Sequence, residues 1–375
     1  MTLSFFRSCL ILIIQNLQEY TGAGGLGKHF WNSWASARRD ILLIVCGSAA
    51  SWMINKLINN KGGLYNRVTK RIKITPFTLN ECELFLQSKN ILLDWYQIIQ
   101  LYMAFGGIPF YWEEVNQGLS AAQNIEAICF SENGMLRMEF DNLFKSLFNK
   151  HEKHSLIVNA LSKKSAGLTR DDLIRETKLP NAGSTTRLLD ELEESGFLLR
   201  CNPFGKKARN TIYQLIDFYS LFYFKFIKGS YPRDINQWIN AIDNPKHRVW
   251  SGYAFEQVCL SHLPQIKKAL GISGVHTTAS SWRSAAAKNG AQIDLVIERR
   301  DRVINLCEMK FSINKFVIDA KYVEELRNKI GVFKTETKTR NSVFLTMITT
   351  YGLQSNIHSV GLVQNDLTME DLFEK

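Results

Sequence analysis

The sequence predicts an α/β multidomain fold, and three observations carry that prediction. The run Ile41-Leu42-Leu43-Ile44-Val45-Cys46 is continuously apolar, as a strand buried on both faces is, and Gly47-Ser48 then turns it into a helical pattern. Near the other end, residues 290–297 and Val303–Lys310 are two β-branched apolar runs flanking Glu298-Arg299-Arg300-Asp301-Arg302, which reads as a hairpin. Between them lie long stretches of helical periodicity and a second, shorter hairpin with a lysine-rich tip. The chain has 375 residues, enough for two or three domains.

The apolar run at 5–14 is broken only by Arg7 and Ser8. It is too short to span a bilayer and no small-x-small cleavage site follows closely. It reads as a strand, a short helix or a consequence of where the frame begins, and predicts no membrane insertion. Gly22-Ala23-Gly24-Gly25-Leu26-Gly27-Lys28 has the G-x-x-x-x-G-K spacing of a phosphate-binding loop. His29 stands where a Ser or Thr hydroxyl would hold magnesium, and no strand ending in an acidic pair follows. A glycine-rich connector explains the segment more simply. After it, residues 31–39 read as a helix feeding the strand at Ile41, and residues 71–74 alternate as another short strand.

Residues 76–150 read as helical: Thr78-Leu79-Asn80-Glu81 is a capping box ahead of a helix with apolar Leu84 and Phe85. Ile98, Ile99, Leu101, Tyr102 and Phe105 continue the period until Gly106-Gly107-Ile108-Pro109 breaks it. Residues 152–217 supply three helices, the second capped by Thr169 and the third ending at Gly196. Two strands then bracket Asn202-Pro203-Phe204-Gly205-Lys206-Lys207. Three helices and a basic hairpin make a winged helix-turn-helix. Its third helix would offer Ser184, Thr185, Thr186 and Arg187 to a DNA major groove, with Lys206, Lys207 and Arg209 on phosphates. Glu191, Glu193 and Glu194 make the same helix acidic, which suits a protein-protein module equally well. The aromatic stretch at 217–227 is packing material between this unit and the next.

In the C-terminal hairpin, alternation puts Glu308 and Lys310 on one face and Cys307 and Met309 on the other, with Asp294 able to reach the first face from the partner strand. Two carboxylates and a lysine suit a divalent cation that holds a phosphate and activates water. Taken alone, the same residues also describe a solvated strand pair. Net charge is +11 and the pI about 9.2, which favours acidic partners, nucleic acid first. Seven scattered cysteines without metal-ligand spacing argue against a zinc site and for a reducing, cytoplasmic setting.

The segments His29-Phe30-Trp31-Asn32-Ser33-Trp34-Ala35, Cys46-Gly47-Ser48-Ala49-Ala50-Ser51-Trp52-Met53, Gly63-Leu64-Tyr65-Asn66-Arg67, Pro76-Phe77-Thr78-Leu79-Asn80-Glu81-Cys82 and Trp250-Ser251-Gly252-Tyr253-Ala254-Phe255-Glu256 resemble a prokaryotic AAA+/STAND-type ATPase family. Its members join a P-loop ATPase and helical lid to a winged helix and a C-terminal PD-(D/E)XK, restriction-endonuclease-like domain. The resemblance implies a non-family segment at 1–28, a partial ATPase core at 29–75, the lid at 76–150, the winged helix at 151–230 and the nuclease-like domain at 231–375. It implies that Ser48 and Arg67 face the nucleotide. It also implies that Asp294 and Glu308 ligate Mg²⁺ or Mn²⁺ with Glu256 as a further ligand, and that Lys310 orients water; Ile293 replaces the usual proline.

The family's phosphate loop and acidic strand end belong before His29, and residues 1–28 do not resemble them, so the chain reads as a truncated member. The expected protein is a DNA-directed, metal-dependent nuclease-like one on a remnant ATPase scaffold. Alternatives are a non-catalytic DNA-binding regulator, and an ATPase whose nucleotide site is lost or completed by another chain, a homo-oligomer or protein partner. Mg-nucleotide chemistry needs the loop, the hydroxyl and the carboxylate together. The purified chain should therefore not turn over ATP; robust hydrolysis abolished by Lys28→Ala would contradict this.

Overall fold

The computed structural model describes residues 10–15, 37–38, 41–46, 70, 72–148, 150–205, 211–231, 236–284 and 291–375. The first strands, β1 (Leu10–Gln15) and β2 (Ile41–Cys46), pair in parallel with Leu10 level with Ile41. Parallel neighbours need a crossover between them, which is the α/β arrangement read from the apolar run at 41–46. Part of the 5–14 run, open to several readings in the sequence, is thus a strand. It ends on Gln15.

The next region is helical. α1 (Leu79–Ser88) starts at the expected capping box, with Thr78 and Glu81 exchanging bonds. Its buried face runs through Leu79, Cys82 and Leu86, while Leu84 is exposed, so the inward face differs from the one expected. α2 (Trp95–Phe105) is capped by Asp94 and ends at Gly106, whose positive φ of 65° favours glycine. Gly107 is required for a different reason: a Cβ there would stand 2.0 Å from the Phe77 carbonyl oxygen. α3 (Pro109–Trp112), α4 (Ala121–Cys129) and α5 (Met135–Leu147) complete this unit.

α6 (His151–Ser162), β3 (Leu168–Thr169), α7 (Arg170–Thr177), α8 (Gly183–Glu194), β4 (Leu198–Cys201) and β5 (Ile212–Leu215) follow. The three strands form an antiparallel sheet in the order β3-β5-β4. Thr169 caps α7 in a capping box with Asp172, as expected. The aromatic stretch forms α9 (Phe218–Phe222) and a π-helical turn at Tyr223–Ile227. Tyr223 stacks on Phe140 of α5, while Phe222 and Phe226 pack on Trp238 of α10 (Gln237–Ala241) and Trp250 of α11 (Pro245–Ser261). These rings join the helical unit to the last one.

After α12 (Leu263–Ala269) the chain builds β6 (Thr277–Arg283), β7 (Gln292–Arg299), β8 (Val303–Lys310), α13 (Ala320–Thr337), β9 (Ser342–Thr349), β10 (Asn365–Leu367) and α14 (Met369–Leu372). The sheet order is β10-β9-β8-β7-β6. β6, β7 and β8 are antiparallel, and β8, β9 and β10 are parallel, with α13 the crossover between β8 and β9.

His262, between α11 and α12, ties the sheet unit back to the helical one. Its Nε2 accepts the Leu79 N–H at 2.9 Å and its Nδ1 donates to the Val258 carbonyl at 2.8 Å, so the ring is held neutral. Burial pushes it down to about 4. The free thiols Cys82, Cys129, Cys259 and Cys307 are buried. Among the described residues, no helix is long and apolar enough to cross a membrane.

Candidate functional site

One helix and two strands of the last unit carry Glu256, Asp294, Glu308 and Lys310, whose charges act on one another. The hairpin β7–β8 pairs Leu295 with Cys307 and Glu298 with Ile304. β7 runs on through Arg299, so the turn is shorter than the sequence indicated, with Arg302 at φ 68°. Along β8, Glu308 and Lys310 point to α13, while Cys307 and Met309 join the core that includes Phe255 and Val258 of α11.

Asp294 arrives by a different route than simple alternation. The β6–β7 ladder pairs Ser280 with Val296 but Trp282 with Ile293, so β7 holds one extra residue there, a bulge at Asp294 and Leu295. A bulge breaks the period of two and re-aims side chains. Ile293 and Val296 accordingly share one apolar cluster with Trp282 and Phe333. Burial first and the Asp294 charge second raise the Glu256 carboxyl on α11. Gln292 donates to Asp294 at 2.6 Å.

Glu256 is carried in by α11, whose Phe255, Val258 and Cys259 are buried. Burial first, then the Asp294 charge, push its carboxyl up to about 8; Lys310 opposes them, Glu308 adds, and Lys329 opposes. One turn earlier, burial raises the Tyr253 hydroxyl to about 12.

α13 supplies what the sequence did not disclose. Tyr322 and Lys329 are seven residues apart, two helical turns, and project from one face. The Lys329 ammonium donates to both oxygens of Glu308 at 2.7 and 2.8 Å, and the Tyr322 hydroxyl donates to the second at 3.2 Å. The Glu308 side chain is 4% exposed and that of Lys329 25%. Lys310 stands over the Tyr322 ring, 5.1 Å from its centre. The buried hydroxyl of Thr349, level with Lys310 in the β8–β9 ladder, has no hydrogen-bond partner among the described residues.

The donor chemistry fits a hard divalent cation. Asp294 and Glu308 offer oxygen ligands of the kind that suit Mg²⁺ or Mn²⁺. They do not form a closed cage, since among the described residues no three His, Cys, Asp or Glu side chains are grouped to hold an ion. One or two carboxylates completed by water and substrate phosphate is the usual way Mg²⁺ is held.

The candidate DNA-contacting residues divide. Ser184 and Arg187 are exposed near the start of α8, Thr186 is half-buried, and Arg187 pairs with Glu191 at 2.9 Å. Thr185 is a correction: it is buried and its hydroxyl donates to the Pro180 carbonyl at 2.6 Å, because it lies on the helix face that carries Leu188, Leu189 and Leu192 inward. Phe204, in the basic hairpin, is engaged within the chain: its N–H donates to the Ser281 carbonyl at 2.8 Å and its ring packs on Phe333. Trp282 is buried and meets the Phe333 ring edge-on, so it closes the core. Lys206, Lys207 and Arg209, the nucleotide candidates Ser48 and Arg67, and the loop at 22–28 lie outside the described residues.

The raised carboxyl of Glu256 makes a prediction without any metal. The native group keeps its proton to about pH 8, whereas an unfolded glutamate loses it near its ordinary value of 4.5. The unfolded state therefore binds fewer protons in that window, and wild-type stability falls as pH rises through it. In EDTA, Glu256→Gln should gain on the wild type by on the order of 2–4 kcal/mol between about pH 5 and pH 8. Melting curves with a pH-independent gap would contradict the crowding of carboxylates described above.

The chain matches no protein-family model. It is 25% identical over 283 residues to an uncharacterized protein of Methanocaldococcus jannaschii, a match that covers 72% of this chain and 59% of that protein. It thus spans less than two thirds of the length of this relative. Among solved structures it is similar to a Walker-type ATPase of Pyrococcus abyssi, with a TM-score of 0.43 and 17% identity over 58% of this chain and 63% of that one.

Proposed function

We propose that the chain is a DNA-directed nuclease-like protein: a PD-(D/E)XK-type sheet at its C-terminal end that cuts phosphodiester bonds with Mg²⁺ or Mn²⁺, and a winged helix at α6–β5 that engages DNA. The observation that carries this reading is the placing of Asp294 on β7 and of Glu308 and Lys310 on its ladder partner β8, beside a Glu256 carboxyl that burial first and the Asp294 charge second push up to about 8. Asp294 and Glu308 would hold the cation, with Glu256 behind them. When bound, the cation neutralises phosphate charge and lowers the pKa of a coordinated water. Lys310, fixed over the Tyr322 ring, offers its ammonium to the phosphate as negative charge builds on it.

The ATPase relationship belongs to the same proposal, as ancestry rather than activity. The parallel pair β1–β2 supports a remnant α/β core.

A second reading, a non-catalytic DNA-binding scaffold, is favoured by one observation: both oxygens of Glu308 are already held by Lys329. One experiment separates the two. With Mg²⁺ or Mn²⁺, the purified chain should cleave single- or double-stranded DNA, and Asp294→Asn or Lys310→Ala should lower the rate at least about a hundred-fold. Equal rates in wild type and both variants would end the nuclease reading. Binding of the Asp294→Asn protein to duplex DNA in EDTA should then weaken steeply with salt, with Lys206→Ala/Lys207→Ala flattening the slope by about 2. An unchanged slope would remove the basic hairpin from the interface.

A further inference from the structure

We propose that Lys329 and the divalent cation are alternative occupants of Glu308, so that Lys329 is a positioning residue which closes the site without metal and turns to the substrate phosphate once metal enters. This rests on the metal-dependent reading above and deepens it. The Lys329 ammonium contacts both carboxylate oxygens of Glu308, and Tyr322 takes a further lone pair of the second. A cation ligated by Glu308 would have to sit within about 2–2.5 Å of the same oxygens. An ammonium and a divalent ion cannot share that space, because their mutual repulsion in a nearly dry site is large.

Geometry also says where the ammonium goes when it leaves. Lys329 is flexible at its tip and a quarter exposed, whereas Glu308 is fixed in the central strand β8 and almost fully buried. The lysine is therefore the partner that moves. Its charge, like that of Lys310, opposes the burial and the Asp294 charge that raise the Glu256 carboxyl. Displaced from Glu308, its ammonium is free to take a phosphodiester, giving that phosphate a second lysine. The site then binds metal and phosphate with positive coupling: each arrival makes the other easier.

The test measures Mn²⁺ binding by the paramagnetic signal of the free ion, with no turnover involved. Lys329→Met and Lys329→Gln should bind Mn²⁺ at least ten-fold more tightly than wild type, and their melting temperatures should rise more on adding Mn²⁺. Lys329→Gln keeps a hydrogen-bond donor beside Glu308 and carries the test if the methionine variant does not fold. Binding only by the two Lys329 variants is the same result in its extreme form. Equal or weaker affinity in a folded variant, with wild type binding Mn²⁺ and Asp294→Asn not, overturns the inference about Lys329 and leaves the metal reading standing. No Mn²⁺ binding by wild type or either Lys329 variant overturns both.

Discussion

Glu308 is a carboxylate in the central strand of a five-stranded sheet, 4% exposed, and its charge has to be answered from within the protein. Stripping water from an ionised carboxylate costs several kcal/mol even after relaxation. Lys329 and Tyr322 answer it from α13, and that requirement fixes how the crossover helix sits on the sheet. Apolar contacts flank the polar pair on both sides, with Val323 and Leu326 against Leu345 and Met347 and Phe333 against Trp282 and Ile304. A core of ordinary packing thus surrounds one charged junction, and Asp294, Glu256 and Lys310 gather beside it.

The remaining units position this junction rather than contribute to its chemistry. Aromatic rings from α9 and its π-helical turn lock α11 in place, and α11 delivers Glu256. His262 couples α11 to the N-terminus of α1 through a neutral ring. Phe204 of the hairpin packs on Phe333, which lies on the helix carrying Lys329. Force or binding at the hairpin therefore has a short packed route to α13, with Phe333 only four residues from Lys329.

Much of the site was legible because strand alternation is a strong local signal: Glu308 and Lys310 share a face from their spacing alone. Glu256 could be singled out only through the family resemblance, since a single glutamate on a helix carries no chemistry by itself. Asp294 was found for an incomplete reason, because the bulge that aims it depends on pairing with β6, whose sequence Thr277–Arg283 is too polar to announce a strand. Lys329 and Tyr322 were missed entirely. On a helix with several other lysines and glutamates, only packing against β8 distinguishes them from a solvated face. Thr185 was misplaced for the converse reason: helix position was read correctly, but the inward face was not.

The claim that a buried Glu308–Lys329 pair organises this unit is tested most directly by a double-mutant cycle on stability. Glu308→Gln, Lys329→Met and the double variant would be unfolded with urea in EDTA. Removing Lys329 alone leaves an unpaired buried charge, typically worth about 3–5 kcal/mol, and removing Glu308 as well should restore most of that. The account predicts a coupling of at least about 1.5 kcal/mol. Additive effects of the two substitutions would contradict it.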